Sequence, residues 1–243
     1  MAGVNSHLGA TPIVALDVAD TPAAHGIVSR LGDSCDFYKV GLELFTAVGP
    51  SIVSWLRDEG KRVFLDLKLH DIPNTVHAGA RSAARHGASL LTVHAAGGRH
   101  MVAAAVAGAT EGQAEEPCGI LGVSILTSMD SATAGAVWGR PPVDIGEEVV
   151  RLAGEADGGG AAGIVCSGHE AAAVRAAFGK RLGLLVPGIR LPGGEAHDQR
   201  RVMTPAAAMQ AGARWIILGR AVTQAVDPRA AMAQVRDSLT TDA

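Results

Sequence analysis

The sequence predicts an α/β fold that consists of a single (β/α)8 TIM barrel. Short apolar runs alternate with alanine-rich helical stretches along almost all of the 243 residues. Eight β-then-α units fit this length without a break in composition, as expected of one barrel domain. The first apolar run leads into L-D-V-A-D (Leu16–Asp20), which contains no glycine. A doubly wound open sheet normally carries a glycine-rich phosphate loop at this point, so the barrel is favoured.

Each strand is predicted from a short run of apolar and β-branched residues bounded by turn-forming residues. In chain order the eight runs are Ile13–Val18, Asp36–Val40, Arg62–Leu67, Ser89–His94, Gly119–Ile125, Gly163–Cys166, Leu182–Val186 and Arg214–Leu218. Runs of this length are far too short to span a bilayer as helices.

The segments between the strands have helical patterns. They are Thr21–Leu31, Pro50–Glu59, Asn74–His86, Gly98–Ala109, Ile145–Ala156, His169–Phe178 and Pro205–Ala211, and a last helix, Asp227–Leu239, closes the chain. We expect residues 1–10 to form a flexible N-terminal tail. Residues 11–243 are then predicted to form one barrel domain with a closing C-terminal helix.

Two segments are too polar or too rich in glycine to belong to the core. Ser128–Asp144 follows the fifth predicted strand, and Gly188–Arg201 follows the seventh. Both lie on the carboxyl side of strands, where barrel enzymes place their chemistry. Long loops at this rim are predicted to be lids or binding loops.

The composition excludes several classes of function. The net charge of −3 and the low aromatic content of 3% argue against a nucleic-acid partner. The same charge argues against a membrane-surface partner, and the N-terminus lacks the basic and apolar regions of a signal peptide. Three cysteines without C-x-x-C spacing predict reduced thiols, and therefore a cytoplasmic protein.

The most informative segment is F-L-D-L-K-L-H-D-I-P-N-T-V (Phe64–Val76), at the end of the third predicted strand. Residues two apart in a strand share a face, so Asp66 and Lys68 are predicted to point the same way. Asp71 follows three residues later, where proline breaks the strand. Acids on both sides of a lysine favour its ammonium form. Lys68 is therefore expected to be a fixed cation and proton donor, since a Schiff-base lysine needs the uncharged form.

Other polar residues also lie at predicted strand ends. They are Asp17, Lys39, His94, Thr127, Pro187, Arg190, Gly219 and Arg220. Taken alone, Asp17 or His94 is better explained as a helix cap or rim residue than as a functional one. A lysine within an apolar strand, as Lys39 is, is costly to bury without a partner. Two lysines and three aspartates at one rim predict a charge network, and such networks concentrate at functional sites.

The loops after strands seven and eight are predicted to bind a phosphate. Barrel enzymes often hold phosphate there, and the arginine fork donates to it bidentately. The candidate residues are Arg190, Gln199, Gly219 and Arg220.

No metal or cofactor is expected. The nine histidines show no paired ligand spacing. Asp66 and Asp71 could in principle hold Mg²⁺, but two neighbouring lysines already supply positive charge.

The segment D-L-K-L-H-D-I-P-N-T-V (Asp66–Val76) resembles the signature of the orotidine 5′-phosphate decarboxylase family, in its shorter bacterial form without a fused domain. Further resemblance, in order, comes from Ala15–Val18, Lys39–Phe45, Val93–Gly98, Leu126–Met129, Gly163–Ser167, Pro187–Arg190, Asp198–Arg201 and Leu218–Arg220. The resemblance implies decarboxylation of orotidine 5′-monophosphate to UMP in de novo pyrimidine biosynthesis, without a metal or cofactor.

The resemblance also implies roles for individual residues. Lys68 would protonate C6 as CO2 leaves, Asp66 would lie beside the departing carboxylate, and Lys39 and Asp71 would complete a Lys-Asp-Lys-Asp array. Asp71, with Ile72 and Thr75, would reach into the site of a partner subunit, which implies a homodimer with shared active sites. The other implied substrate contacts are Asp17 for the ribose, Thr127, Ser124 and Pro187 for the pyrimidine, and Arg190, Gln199, Gly219 and Arg220 for the phosphate.

Two other functions remain open at this point. A Mg²⁺-dependent lyase or decarboxylase of keto-sugar phosphates, from the same superfamily, also carries D-x-K-x-x-D but has a glutamate ligand in place of Lys39. A lysine there repels a cation. A non-catalytic barrel that binds nucleotide phosphates would be plausible if a member of the array were missing, but Lys39, Asp66, Lys68 and Asp71 are all present.

Overall fold

The protein forms a closed barrel of eight parallel strands. The computed structural model describes residues 9–113, 116–191 and 203–240. Each strand pairs with the next in chain order, and β8 pairs with β1 to close the ring. The predicted (β/α)8 TIM barrel is therefore confirmed.

The strands occupy the positions that the apolar runs predict, with shifts of a few residues at their ends. They are β1 Thr11–Leu16, β2 Phe37–Gly41, β3 Arg62–Leu69, β4 Leu90–His94, β5 Gly119–Val123, β6 Gly163–Val165, β7 Gly183–Val186 and β8 Trp215–Leu218. The first strand begins two residues earlier than predicted because Thr11 and Pro12 pair with Trp215 and Ile216 of β8. A proline is tolerated near the start of a strand.

The helices cover the outside of the barrel. They are α1 Thr21–Leu31, α2 Leu42–Val48, α3 Ser51–Asp58, α4 Pro73–Arg85, α5 Gly98–Gly112, α6 Ser131–Val137, α7 Ile145–Gly158, α8 Gly168–Phe178, α9 Pro205–Gln210, α10 Arg220–Thr223 and α11 Pro228–Leu239. Three short helices, α2, α6 and α10, do not appear in the sequence prediction. Helix α6 lies within the predicted loop Ser128–Asp144 and begins where the Asp130 carboxylate accepts a hydrogen bond from the Thr133 N–H, at 2.9 Å.

The barrel interior is filled by an apolar plug. Its residues come from alternating positions of the strands: Ile13, Phe37, Phe64, Leu90, Leu121, Leu185 and Trp215, with Val165 and Ile217 packed against them. Because side chains alternate along a strand, Lys39 and Asp66 follow Phe37 and Phe64 on the same inward face. The plug therefore forms the floor beneath these charged residues.

Strand β3 is irregular where the signature segment begins. Leu65 pairs with Leu91 and Leu69 pairs with Val93, so three residues of β3 stand opposite one residue of β4. Lys68 has a φ of 52°, the only positive value at a non-glycine residue in the described part of the chain. Asp66 and Lys68 point into the same cavity, as predicted, but the alternation of a regular strand is not the reason. A bulge places them instead.

Two helices on the outside of the barrel approach each other through glycines. A Cβ atom at Gly108 or Gly112 of α5 would collide with the backbone carbonyls of His77 and Arg81 in α4. Helix α4 begins two residues after the signature aspartate Asp71, so this contact positions the segment that follows the bulge.

The ends of the described chain meet at the closing helix. The Gly9 N–H donates to the Leu239 carbonyl at 2.9 Å, and Ala10 is buried. Helix α11 packs against α1, α9 and α10. Most of the predicted tail, residues 1–8, lies outside the described residues, and the single domain over residues 11–243 stays a prediction. In the described ranges, no helix combines the length and the apolar character needed to cross a bilayer.

Candidate active site

Two adjoining cavities open at the carboxyl ends of the strands. The central cavity has a volume of about 230 Å³ and is lined by Asp17, Lys39, Phe64, Asp66, Lys68, Val123, Ile125, Leu126, Thr127, Val165, Cys166, Leu185, Pro187 and Ile217. The rim cavity has a volume of about 480 Å³ and is lined by Ala15, Asp17, Val18, Ile27, Gly188, Arg190, Ile217, Gly219, Arg220, Thr223 and Gln224. Asp17 and Ile217 line both cavities, so one elongated ligand can occupy the two together.

Four side chains of alternating charge cross the central cavity. The Lys39 Nζ lies 2.7 Å from the Asp17 Oδ1 and 3.7 Å from the Asp66 Oδ2. The Lys68 Nζ lies 2.9 Å from the Asp66 Oδ1. Lys39 is 8% exposed, and its burial is tolerable because two carboxylates surround the ammonium. The predicted charge network is present, but its outer acid within this chain is Asp17 rather than Asp71.

The last residue of β2 leaves little space for this ion pair. A Cβ at Gly41 would lie 3.0 Å from the Lys39 Nζ and 3.2 Å from the Asp17 Oδ1. Gly41 has an ordinary φ of −92°, so an added side chain there would press on the ion pair rather than strain the backbone.

A threonine on β4 joins Asp66 and Lys68. The Thr92 hydroxyl donates to the Asp66 Oδ1 at 3.0 Å and accepts from the Lys68 backbone N–H at 2.9 Å. Thr92 is completely buried and lines neither cavity. Sequence reasoning missed it. The available signal was a polar residue two positions before His94 in an otherwise apolar strand.

Asp71, Ile72 and Thr75 lie away from both cavities. All three are exposed, and Ile72 retains 66% of its accessible surface. The Asp71 Oδ1 accepts a hydrogen bond from the Ile72 N–H at 2.6 Å. The structure therefore does not bring these residues to the cavities of their own chain, and their predicted role in a partner's site stays a prediction.

The predicted pyrimidine contacts divide into two groups. Thr127 and Pro187 line the central cavity. Ser124 is buried outside the cavity wall, and its hydroxyl donates to the Val165 carbonyl at 2.7 Å. The wall instead contains apolar side chains, among them Ile125 and Val165, that sequence reasoning missed because they are indistinguishable from core residues.

The predicted phosphate contacts Arg190, Gly219 and Arg220 all line the rim cavity. The Arg190 backbone is held by hydrogen bonding between its N–H and the Met203 carbonyl, at 2.9 Å. Gln199, and most of the predicted loop Gly188–Arg201, lie outside the described residues.

Two other titratable groups near the central cavity, His94 and Cys166, are uncharged at neutral pH. Burial lowers the pKa of His94 below its ordinary value, and His70 and Lys68 lower it further, so the imidazole is neutral. Burial raises the pKa of the Cys166 thiol to about 12, which excludes a thiolate nucleophile at neutral pH. The described residues contain no group of three or more histidine, cysteine or acidic side chains arranged to hold a metal ion.

The model of the family described as Orotidine 5′-phosphate decarboxylase / HUMPS family matches residues 11–235. The chain belongs to this family.

Similar proteins support the same assignment. A protein of Anaeromyxobacter sp. (strain K), named orotidine 5′-phosphate decarboxylase, is 52% identical over 217 residues, which cover 89% of this chain and 92% of that protein. A protein of the same name from Nostoc sp. (strain PCC 7120 / SAG 25.82 / UTEX 2576) is 43% identical over 232 residues, covering 94% and 97% of the two chains. The crystal structure of orotidine 5′-phosphate decarboxylase from Lactobacillus acidophilus superposes with a TM-score of 0.86 at 35% identity, covering 96% of this chain and 100% of that chain.

Proposed function

We propose that this protein decarboxylates orotidine 5′-monophosphate to UMP in de novo pyrimidine biosynthesis, without a metal or cofactor. The observation that carries the proposal is the array Asp17–Lys39–Asp66–Lys68, which places an ammonium at the open end of the barrel. The membership of the chain in its family, and relatives that bear the name of this enzyme, support it.

The proposed reaction needs one proton and one stabilising charge. The bond between C6 and the carboxylate breaks, CO2 leaves, and the electron pair remains on C6. This carbanion has no resonance delocalisation, so a preorganised cation in a water-poor site stabilises it most effectively. Lys68 can meet both requirements, because its side chain is 30% exposed and lines the cavity, and its Nζ lies 2.9 Å from the Asp66 Oδ1. The proton passes from Nζ to C6.

The two cavities suggest how the nucleotide lies. The phosphate occupies the rim cavity, where Arg190 and Arg220 provide guanidinium groups. The pyrimidine occupies the central cavity, against its apolar wall and beside Lys68. Asp17, which lines both, accepts hydrogen bonds from the ribose. Phosphate binding far from the breaking bond supplies energy that can be used at C6.

The exposed positions of Asp71, Ile72 and Thr75 support a homodimer with shared sites. Asp71 is charged, and Ile72 is large and apolar. Both follow the catalytic strand yet lie outside the cavities of their own chain, so they are suited to contact a second subunit. The three free cysteines are consistent with a reducing, cytoplasmic location.

The charge at position 39 disfavours the Mg²⁺-dependent alternative. A keto-sugar-phosphate lyase of that kind needs a carboxylate ligand where the Lys39 ammonium lies, 3.7 Å from Asp66. A purely binding role is disfavoured by the intact array.

The proposal is tested by ultraviolet measurement of orotidine 5′-monophosphate loss, in the presence of EDTA. We expect the wild-type protein to be active and Lys68→Ala to lower kcat/KM by about 10³-fold or more, since both proton transfer and charge stabilisation are lost. Lys180→Ala, which removes an exposed lysine at the opposite rim, is the matched control and should retain activity. A folded wild-type protein without activity would refute the proposal.

A further inference from the structure

The bulge in β3 leaves a backbone donor without a partner in the sheet. Between the pairs Leu65–Leu91 and Leu69–Val93, the backbone of β3 departs from β4. The Lys68 N–H, which a regular ladder would direct to a carbonyl, donates instead to the Thr92 hydroxyl at 2.9 Å. A buried N–H without an acceptor is costly, so this side chain replaces the missing ladder bond.

The direction of each hydrogen bond at Thr92 is determined by chemistry. A backbone N–H can only donate, so the hydroxyl oxygen accepts from Lys68. Its own hydrogen is therefore free for the Asp66 Oδ1, which lies 3.0 Å away. The Lys68 Nζ lies 2.9 Å from the same Oδ1. Thr92, Asp66 and Lys68 thus form a closed ring of three contacts.

This ring holds a strained residue. Lys68 has a φ of 52°, in the left-handed region that residues with a Cβ seldom adopt. Such a conformation persists only where the surroundings determine it. Thr92 accepts a hydrogen bond from the Lys68 backbone and donates one to the Asp66 carboxylate, with which the Lys68 ammonium is paired.

We infer that Thr92 is a positioning residue for the proposed decarboxylation, which fixes the Lys68 ammonium through its backbone and through Asp66. It does not touch the substrate, because it is completely buried and lines neither cavity. For its kinetic consequence, this inference rests on the proposed function.

The inference is tested with two matched pairs of variants. Thr92→Val keeps the shape of the side chain and removes the hydroxyl, whereas Thr92→Ser keeps the hydroxyl. Thr92→Ala, compared with Thr92→Ser, isolates the same hydroxyl if the valine variant does not fold. Ser89→Ala is the control, since it removes another buried hydroxyl just before β4, one that has no hydrogen-bond partner among the described residues.

We expect the loss of the hydroxyl to lower kcat for orotidine 5′-monophosphate by about 10- to 100-fold, as expected for a hydrogen bond to a charged group. KM should change little, because Thr92 does not bind substrate. Thr92→Ser should recover most of kcat, and Ser89→Ala should match the wild-type protein. Equal kcat values for the hydroxyl-bearing and hydroxyl-lacking variants would overturn the inference, as would a change confined to KM.

Crystal structures of the variants give a second readout that does not depend on turnover. They are compared for Thr92→Ser and Thr92→Val, or for Thr92→Ser and Thr92→Ala if the valine variant does not fold. In the variant without the hydroxyl we expect the Lys68 Nζ and the Asp66 Oδ1 to separate beyond about 4 Å, the limit of an ion pair. In Thr92→Ser they should remain paired. If the wild-type protein did not consume orotidine 5′-monophosphate, the proposed function would fail, and these structures would still decide whether Thr92 positions the pair. An unchanged ion pair in the variant that lacks the hydroxyl would refute the positioning role.

Discussion

At the scale of single residues, the site depends on short distances between its charged groups. Three ion-pair distances of 2.7, 3.7 and 2.9 Å link Asp17, Lys39, Asp66 and Lys68. Electrostatic stabilisation of a transition state depends on charges that are already in place before the reaction. A shift of a few tenths of an ångström in one member is therefore expected to affect turnover before it affects folding.

Gly41 offers a test of this expectation. In Gly41→Ala, the new methyl group lies within 3.0 Å of the Lys39 Nζ and 3.2 Å of the Asp17 Oδ1, so the pair must move. We expect kcat/KM for orotidine 5′-monophosphate to fall by about tenfold or more, with little change in melting temperature. Gly26→Ala, where no atom lies within 4 Å of the new Cβ, is the control. Wild-type kinetics in Gly41→Ala would show that the ion pair tolerates displacement.

The charged residues were predictable from the sequence because charge in an apolar strand requires a partner. Lys39 and Asp66 are examples, and the structure pairs them. The polarity of Thr92 in an apolar strand was visible in the sequence, but its role was not predictable, since threonine is common in strands and the role depends on a bulge in a different strand. Asp71 has the same residue type as Asp66 but lies outside the cavities, a difference that local sequence does not encode.

At the scale of secondary structure, the packing of α4 on α5 determines where the segment after the signature lies. Gly108 and Gly112, four residues apart, lie on one face of α5 and admit the α4 backbone. Helix α4 carries Thr75 in its first turn, so a displaced α4 would move residues that are proposed to contact the partner subunit.

Gly108→Ala is predicted to weaken this contact. The added methyl group would collide with the His77 carbonyl of α4, and overpacking of this kind lowers the free energy of unfolding by about 1–3 kcal/mol. Urea denaturation followed by circular dichroism measures the change. Gly154→Ala in α7, whose nearest atom would be the Phe178 Cζ at 3.8 Å, should be as stable as wild type or more so. Equal stabilities of Gly108→Ala and the wild-type protein would contradict the prediction.

Elements with strong local signals were predicted most accurately. Helix α1 has the predicted bounds because Asp20 caps its first turn, proline follows at its start, and Gly32 ends it. Helix α6 was missed because it has only seven residues within a polar segment. Its first residue is held by a contact distant in sequence, since the Ser131 hydroxyl donates to the Val143 carbonyl at 2.6 Å.

At the scale of the whole molecule, the proposed shared site makes a prediction about mixed dimers. Lys68→Ala and Asp71→Asn should each be nearly inactive alone. In a mixed dimer, one of the two sites combines Lys68 of the Asp71→Asn subunit with Asp71 of the Lys68→Ala subunit, and is therefore complete. An equimolar mixture should recover about one quarter of wild-type activity after free exchange of subunits.

Mixing Lys68→Ala with Lys39→Ala is the matched control. Both lysines line the cavity of the same chain, so neither site of that mixed dimer is complete and no activity should return. Subunit exchange can be verified by mass spectrometry of the intact dimers. Absence of recovery with Asp71→Asn, once exchange is verified, would place Asp71 outside the partner's site.

The contact between Gly9 and Leu239 has a consequence for the order of the chain. Since β1 pairs with β8 and the Gly9 N–H donates to the Leu239 carbonyl, the eight units form a ring in which the first and last described segments are neighbours. A circular permutant, with a short linker between the old ends and new ends in a loop at the rim opposite the cavities, would contain every strand pair of this ring. We therefore expect such a permutant to form the same barrel, because folding of the ring requires the same neighbouring units and not a particular first unit.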